Sequence, residues 1–263
     1  MAERYSTKWE LHCQDTATSA LDVAKDFIEN SELLPQGNAF LVAEQTAGRG
    51  RMGRSWISRK NDGMYLSVIL SPKRAQAEWP TLSFVASLAA IQTLNSICPD
   101  VAVSLKWPND LMAEDRKLGG ILLEANGPHA IVGCGINIKN APEITDSLFP
   151  STDIAKYQSN IPEPQELSES YINNLENLYQ IWQNCGPAPL LARWQDKSNI
   201  IGRQLTVSLC DKSVTGICDA LEPDGRLNLV DMDGNVHLIT VGDVVLMGEV
   251  NACLLYTSPS PRD

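Results

Sequence analysis

The sequence predicts an α+β protein, with a helix-and-strand domain over residues 1–200 and a small β-barrel over 201–249. Three observations carry that prediction. Up to residue 197, strand-length apolar runs alternate with longer stretches whose apolar residues recur at helical spacing. From Gln204 the texture changes to short alternating runs split by Asp-Gly turns. The 263 residues, 43% hydrophobic and 20% charged, suit one large domain with a small appendix.

Residues 17–30 place Leu21, Val23, Ala24, Phe27 and Ile28 at helical spacing, with Asp15 or Thr16 as the expected N-cap. A short buried strand at 40–42 leads into a glycine- and arginine-rich loop, 45–56. The run 64–70 reads as a strand stopped by Pro72. Residues 79–97 read as a helix, with Leu82, Val85, Leu88, Ala89 and Ile91 roughly on one side. Strands follow at 101–105, 120–124 and 130–137. The Pro-, Ser- and Asp-rich stretch 139–165 reads as a long irregular connection, and helical character returns at 166–182 and 188–197. Runs at 205–209, 227–230 and 236–239, with turns at Asp224-Gly225 and Asp233-Gly234, make up the expected barrel. Residues 250–263 depart from this pattern; from Cys253 onward they read as a non-native, sequencing-adapter-like tail, excluded from fold reasoning.

A net charge of −11 repels phosphate backbones and argues against a nucleic-acid partner. No apolar run approaches the ~18 residues of a membrane span, and the start lacks the apolar core of a secretory signal. Seven cysteines without a CxxC pair, beside three histidines, argue against a structural zinc site, so no metal ligands are assigned. The expected location is the cytoplasm, with reduced thiols and Cys134 as a small core residue.

Against the acidic background, Arg49, Arg51, Arg54, Arg59 and Lys60 fall within twelve residues, which points to an anionic ligand. Gly48-Arg-Gly-Arg-Met-Gly-Arg-Ser-Trp56 combines close backbone approach with forked donors for carboxylate and phosphate oxygens. A solvated basic turn or an RNA contact would use the same residues. It is not a P-loop, because Gly-Lys-Ser/Thr is missing. Lys106-Trp-Pro-Asn-Asp110 leaves a strand with Trp107 held extended by Pro108, so Asp110 can assist a metal–phosphate complex or simply close a polar turn. In Lys117-Leu-Gly-Gly120 a lysine precedes a glycine pair opening a strand, either aiming an ammonium at a ligand or sitting exposed on a hairpin. Gly133-Cys-Gly-Ile-Asn137 interrupts a buried strand with two glycines, the mark of a bulge or a close approach.

The ordered set GRGRMGRSW, KWPNDL, KLGGILLE and GCGIN resembles the catalytic domain of biotin protein ligases, over most of residues 10–140. The resemblance implies a mixed sheet with flanking helices of the class II aminoacyl-tRNA synthetase/biotin synthetase type, with an SH3-like C-terminal domain. It implies attack of the biotin carboxylate on Mg2+-bound ATP to give biotinyl-5′-adenylate, then transfer of biotin to a lysine of a biotin carboxyl carrier protein. By position, Lys117, Arg49, Arg51 and Asp110 become the catalytic set. Thr16, Gln45, Arg49, Gly50, Arg51, Lys117, Gly119, Gly120, Gly133 and Gly135 become the biotin site. Arg49, Arg51, Trp56, Lys117 and Asn137 become the adenylate site. The family's Asp-Ser-Thr-Asn segment stands here as Asp15-Thr-Ala-Thr18, which alters the edge that holds the biotin ring. The resemblance includes no DNA-binding winged helix, and a homodimer is left open. A lipoate- or octanoate-type adenylating transferase on the same fold, or an inactive biotin- or nucleotide-binding module, is the alternative.

Overall fold

The computed structural model describes residues 8–143, 149–198, 200–209, 212–240 and 242–246. The chain begins with strand β1 (Glu10–Ala17), helix α1 (Ala20–Asn30), β2 (Asn38–Gln45) and β3 (Gly63–Leu70). Helix α2 (Leu82–Ile97) is followed by β4 (Val103–Lys106), β5 (Asp110–Ala113), β6 (Arg116–Asn126) and β7 (His129–Asn137). These seven strands form one sheet in the order β1-β2-β3-β7-β6-β5-β4, with β1 and β2 parallel and the other pairs antiparallel. The sheet is therefore mixed, as expected.

Alternation along the strands splits its side chains between two layers. On one face, α1 covers Phe40, Ile69 and Ile131 with Leu21 and Ala24. On the other, Met64, Leu66, Val68, Val132, Cys134 and Ile136 pack with α2 and with α3 (Pro164–Cys185), whose Tyr171, Leu175, Leu178 and Trp182 are buried. Cys134 is the core residue the sequence predicts, and burial pushes its thiol up to about 12.

Helix α1 starts later than its apolar spacing indicates. Residues 10–17 are an extended strand, so neither Asp15 nor Thr16 caps the helix; Ser19 does, its hydroxyl accepting from the Asp22 amide at 3.1 Å. A 3-10 turn at Gln76–Thr81, containing Pro80, precedes α2 and trims the helix expected from residue 79. Among the described residues the long connection is irregular as expected, apart from a 3-10 turn at Ile154–Lys156 and the start of α3 at Pro164.

After α4 (Ala188–Gln195), strands β8 (Gln204–Ser208), β9 (Ser213–Leu221), β10 (Leu227–Val230), β11 (Val236–Ile239) and β12 (Asp243–Leu246) form a second sheet in the order β11-β10-β9-β8-β12. Closing it into the expected barrel needs β11 to pair with β12, and no such pairing occurs among the described residues. Its inner face, including Leu205, Val207, Cys218, Leu229 and Val244, joins the same apolar cluster as α2 and α4. Trp107 clasps it from the first sheet, donating through Nε1 to the Gly225 carbonyl at 3.0 Å. The 250–263 segment lies outside the described residues.

Candidate active site

Residues facing one another across antiparallel strands share a face. Lys106 faces Asp110, Asp110 faces Gly120, Gly120 faces Gly135 and Gly135 faces Tyr65, so one row runs across five strands. Above its two glycines opens a cavity of about 750 Å³. The glycines keep the floor low, while the row ends in charge.

That charge is a compact triad. Asp110 Oδ1 lies 2.6 Å from Lys117 Nζ, and Oδ2 lies 3.4 Å from Lys106 Nζ. Burial works against ionisation of Asp110, yet Lys117 and Lys106 outweigh it and hold the carboxyl below its ordinary value. Burial likewise pulls the Lys106 ammonium down, against the attraction of Asp110. The Lys106 side chain is only 5% exposed, and its ammonium sits 4.0 Å from the centre of the Phe149 ring. A lysine so buried is held by its partner, because an unpaired one would shed its charge.

Lys117 reaches this face through an irregularity. On a regular strand it would share a side with Gly119 and Ile121, which face Leu111 and the core. The ladder with β5 instead pairs Leu111 with Gly119 and Met112 with Lys117, so Leu118 is an extra residue. This bulge reverses the alternation and turns Lys117 toward the cavity.

The glycine- and arginine-rich segment folds as a hydrogen-bonded arm along the rim. Trp56 N–H donates to the Gly48 carbonyl at 2.8 Å, and Gly50 N–H to the Arg54 carbonyl at 2.7 Å. Gly48 is required here, because a Cβ would stand 2.4 Å from the Trp56 carbonyl. The tip turns through Met52 and Gly53, both at positive φ. At the arm's base, Arg49 Nη1 donates to Asp22 at 2.6 Å, and Nη2 lies 3.5 Å from Glu124. Arg51 donates to Asn109 Oδ1 at 3.4 Å, and Asn109 itself donates to the Ile121 carbonyl at 2.5 Å. Burial pulls the Arg51 guanidinium below its usual range, with Asp110 and Asp243 acting the other way. Arg54 forms an ion pair with Asp243 of β12. The second sheet is thus a wall of the cavity, to which Ser208, Gly242, Asp243 and Val244 contribute.

Trp56 lies flat in the space that Gly135 leaves, where a Cβ would stand 2.9 Å from the ring. Its indole N–H is buried without an acceptor among the described residues, and Lys117 Nζ sits 5.7 Å from the ring centre. Trp56 shares a smaller adjoining pocket with Asn137, Phe149 and Ser151.

The fold that carries this cavity has counterparts among known proteins. Residues 12–137 match the model of the biotin/lipoate A/B protein ligase family. The chain is 35% identical over 213 residues to the biotin–(acetyl-CoA-carboxylase) ligase of Mycobacterium tuberculosis, covering 78% of this chain and 77% of that protein. The chain belongs to the biotin protein ligases. Another relative, the bifunctional ligase/repressor BirA of Escherichia coli, is 31% identical over 81% of this chain and 67% of its own length. The biotin protein ligase of Aquifex aeolicus, solved with biotin and ATP, shares the fold at a TM-score of 0.78 and 24% identity, over 90% of this chain and 98% of that one.

Most of the ligase site expected from sequence comes together. Gln45, Arg49, Gly50, Arg51, Trp56, Asp110, Lys117, Gly120, Gly133 and Gly135 all line the cavity, and Asn137 lines the adjoining pocket. Two expected residues do not. Thr16 is exposed on β1, away from the cavity, because the strand continues where the helix was expected to begin. Gly119 faces the opposite side of the sheet, its missing Cβ making room for the Gly135 carbonyl and Leu111. Gly135 floors the space beneath Trp56, and Gly133 accommodates Leu21 at 3.2 Å from its Cβ position. Gln45 meets its hydrogen bonds within the protein, accepting from Ala20 N–H at 2.9 Å and donating to Ser58 Oγ at 2.6 Å. Sequence reasoning gave Lys106 and Asn109 no role and missed Asp243. The first two sit inside a recognised motif, whereas nothing local marks Asp243.

Proposed function

We infer that this chain is an ATP-dependent biotin protein ligase, as its family membership and fold indicate. The biotin carboxylate attacks the α-phosphorus of ATP; the new P–O bond gives biotinyl-5′-adenylate, and the bond to the β-phosphate breaks to release pyrophosphate. An uncharged lysine amine of a biotin carboxyl carrier protein, from acetyl-CoA carboxylase or a similar carboxylase, then attacks the acyl carbon. AMP leaves and the amine gives up a proton.

The Lys117–Asp110–Lys106 triad at the end of the glycine floor carries the assignment of residues. Two anions must meet in the first step, so fixed cations aimed at the developing charge lower its barrier. Lys117, held by Asp110, faces the reacting phosphate and carboxylate, and Arg51 approaches the same charge from the arm. Arg49 fixes the arm's base against α1 and β6. Trp56 and Asn137 border the nucleotide, the unsatisfied indole N–H being suited to an acceptor. Glycines 50, 120, 133 and 135 and Gln45 shape the biotin side. Mg2+ arrives with the nucleotide, whose phosphates supply its oxygen ligands.

This reading divides the chain into a catalytic domain at 1–200, an SH3-like domain at 201–249 and a non-native tail at 250–263. It places the reaction in the cytoplasm, supported by free thiols at the five described cysteines and by the lack, among the described residues, of a helix long and apolar enough to cross a membrane. The net charge of −11 supports a protein rather than a nucleic-acid partner. Incubation with biotin, ATP, Mg2+ and a carrier protein should add one biotin mass to a single carrier lysine. An unmodified carrier refutes the ligase, and faster pyrophosphate release with lipoate than with biotin would reassign the acid.

A further inference from the structure

The arm runs along the cavity rim between two anchors that differ in kind. Its base is tied within the first sheet's layers through Arg49 to Asp22 and Glu124. Its far side is tied to the second sheet through Arg54 and Asp243, which are 189 residues apart in sequence. The second anchor is firm. Asp243 pairs with Ser208 in the β8–β12 ladder, and the next residue, Val244, is fully buried in the common core. Arg54 belongs to a segment held mainly by its own hairpin bonds, with its side chain 56% exposed. Both residues line the cavity, where the carboxylates among the described lining residues are Asp243 and Asp110, the latter already shared by two lysines. An acidic group there weakens attraction for a nucleotide, so it calls for a different use.

We propose that Asp243 is a positioning residue that latches the arm closed through Arg54, so that the second sheet sets how long the acyl-adenylate stays enclosed. The proposal rests on the adenylating reaction inferred above. The pair is strong enough to bias the arm toward closure, and its exposure makes it weak enough to open for carrier entry. Breaking the latch lets the mixed anhydride escape or meet water earlier, while the charges at the floor stay in place.

The test is a double-mutant cycle on the full chain, with Asp243→Asn, Arg54→Gln and the two combined. Each protein is loaded with labelled biotin and ATP and then chased with excess unlabelled biotin, and loss of labelled adenylate is timed. Single-turnover adenylate formation and the KM for ATP are measured in parallel. We expect each single change to speed adenylate loss about two- to fivefold, the range of a half-exposed ion pair, and the double variant to lose it no faster than either. Loss at the wild-type rate in Asp243→Asn, or additive effects in the double variant, overturns the latch while the ligase reading stands. A lowered KM for ATP in Asp243→Asn that persists beside Arg54→Gln makes Asp243 a local anion and also overturns it. Absence of adenylate from the wild-type chain removes both readings together.

Discussion

The floor and the arm of the cavity both present cations, but they hold them differently. On the floor, Lys106 and Lys117 stand on hydrogen-bonded strands and share one carboxylate, with Lys106 almost wholly enclosed. On the arm, Arg49, Arg51 and Arg54 each lean on a separate element: α1 and β6, the β4–β5 turn and β12. Charge fixed in a low-dielectric sheet needs no reorganisation when a transition state forms, so the floor is suited to chemistry. Charge spread over several weak tethers can let go, so the arm is suited to enclosure and release.

The largest effect that tests this contrast is on the floor. Lys117→Ala should slow single-turnover adenylate formation by about 10²- to 10³-fold, the loss seen when one aimed donor is removed, with the fold intact by circular dichroism. A rate within a few-fold of wild type would move the chemistry off the floor. Asp110→Ala strands Lys106 in the interior and should cost about 3 kcal/mol, the scale of a broken buried pair, read from denaturant midpoints. Because the lysines hold the Asp110 carboxyl below its ordinary 3.8, its contribution is complete above that pH. It is lost as pH falls through the lower folded value, so the gap between wild type and variant should narrow only below about pH 4. On the arm, Arg51→Gly should leave adenylate formation less affected and speed escape of the intermediate about tenfold, as expected for loss of a charged hydrogen bond. Labelling of bystander lysines measures that escape, and tighter retention would contradict the division of labour.

Much of this contrast is legible in the amino-acid sequence, for reasons that differ by residue. The arm announces itself because five cations crowd a short stretch of an acidic chain. The floor glycines stand out because glycine inside an apolar strand signals a close approach. What approaches Gly135 is not legible, since Trp56 arrives from 79 residues earlier as a tertiary contact. Thr16 is misplaced because β1 is polar and largely exposed, leaving its strand without the apolar alternation that reveals one. Strands β5 and β12 each follow an aspartate with three apolar residues in a row, so neither shows the alternation that would mark a strand. The burial of Lys106 is hidden because a lysine beside a turn is ordinarily a surface residue. The wall supplied by the second sheet leaves no local trace, because Asp243 meets Arg54 only after the chain has folded back on itself.

The extra residue at Leu118 makes the orientation of Lys117 a matter of counting. Pulling the bulge flat with Leu118 in place would restore an unbroken pleat and send the ammonium of Lys117 into a layer of leucines and isoleucines, whereas deleting Leu118 would close the ladder with Lys117 still opposite Met112 and on the cavity side. A relative that pairs these two strands without the bulge could thus keep all the signature letters and lose the ammonium from the cavity. When sequences of this kind are compared, the spacing between Asp110 and Lys117 is as diagnostic as the two residues themselves.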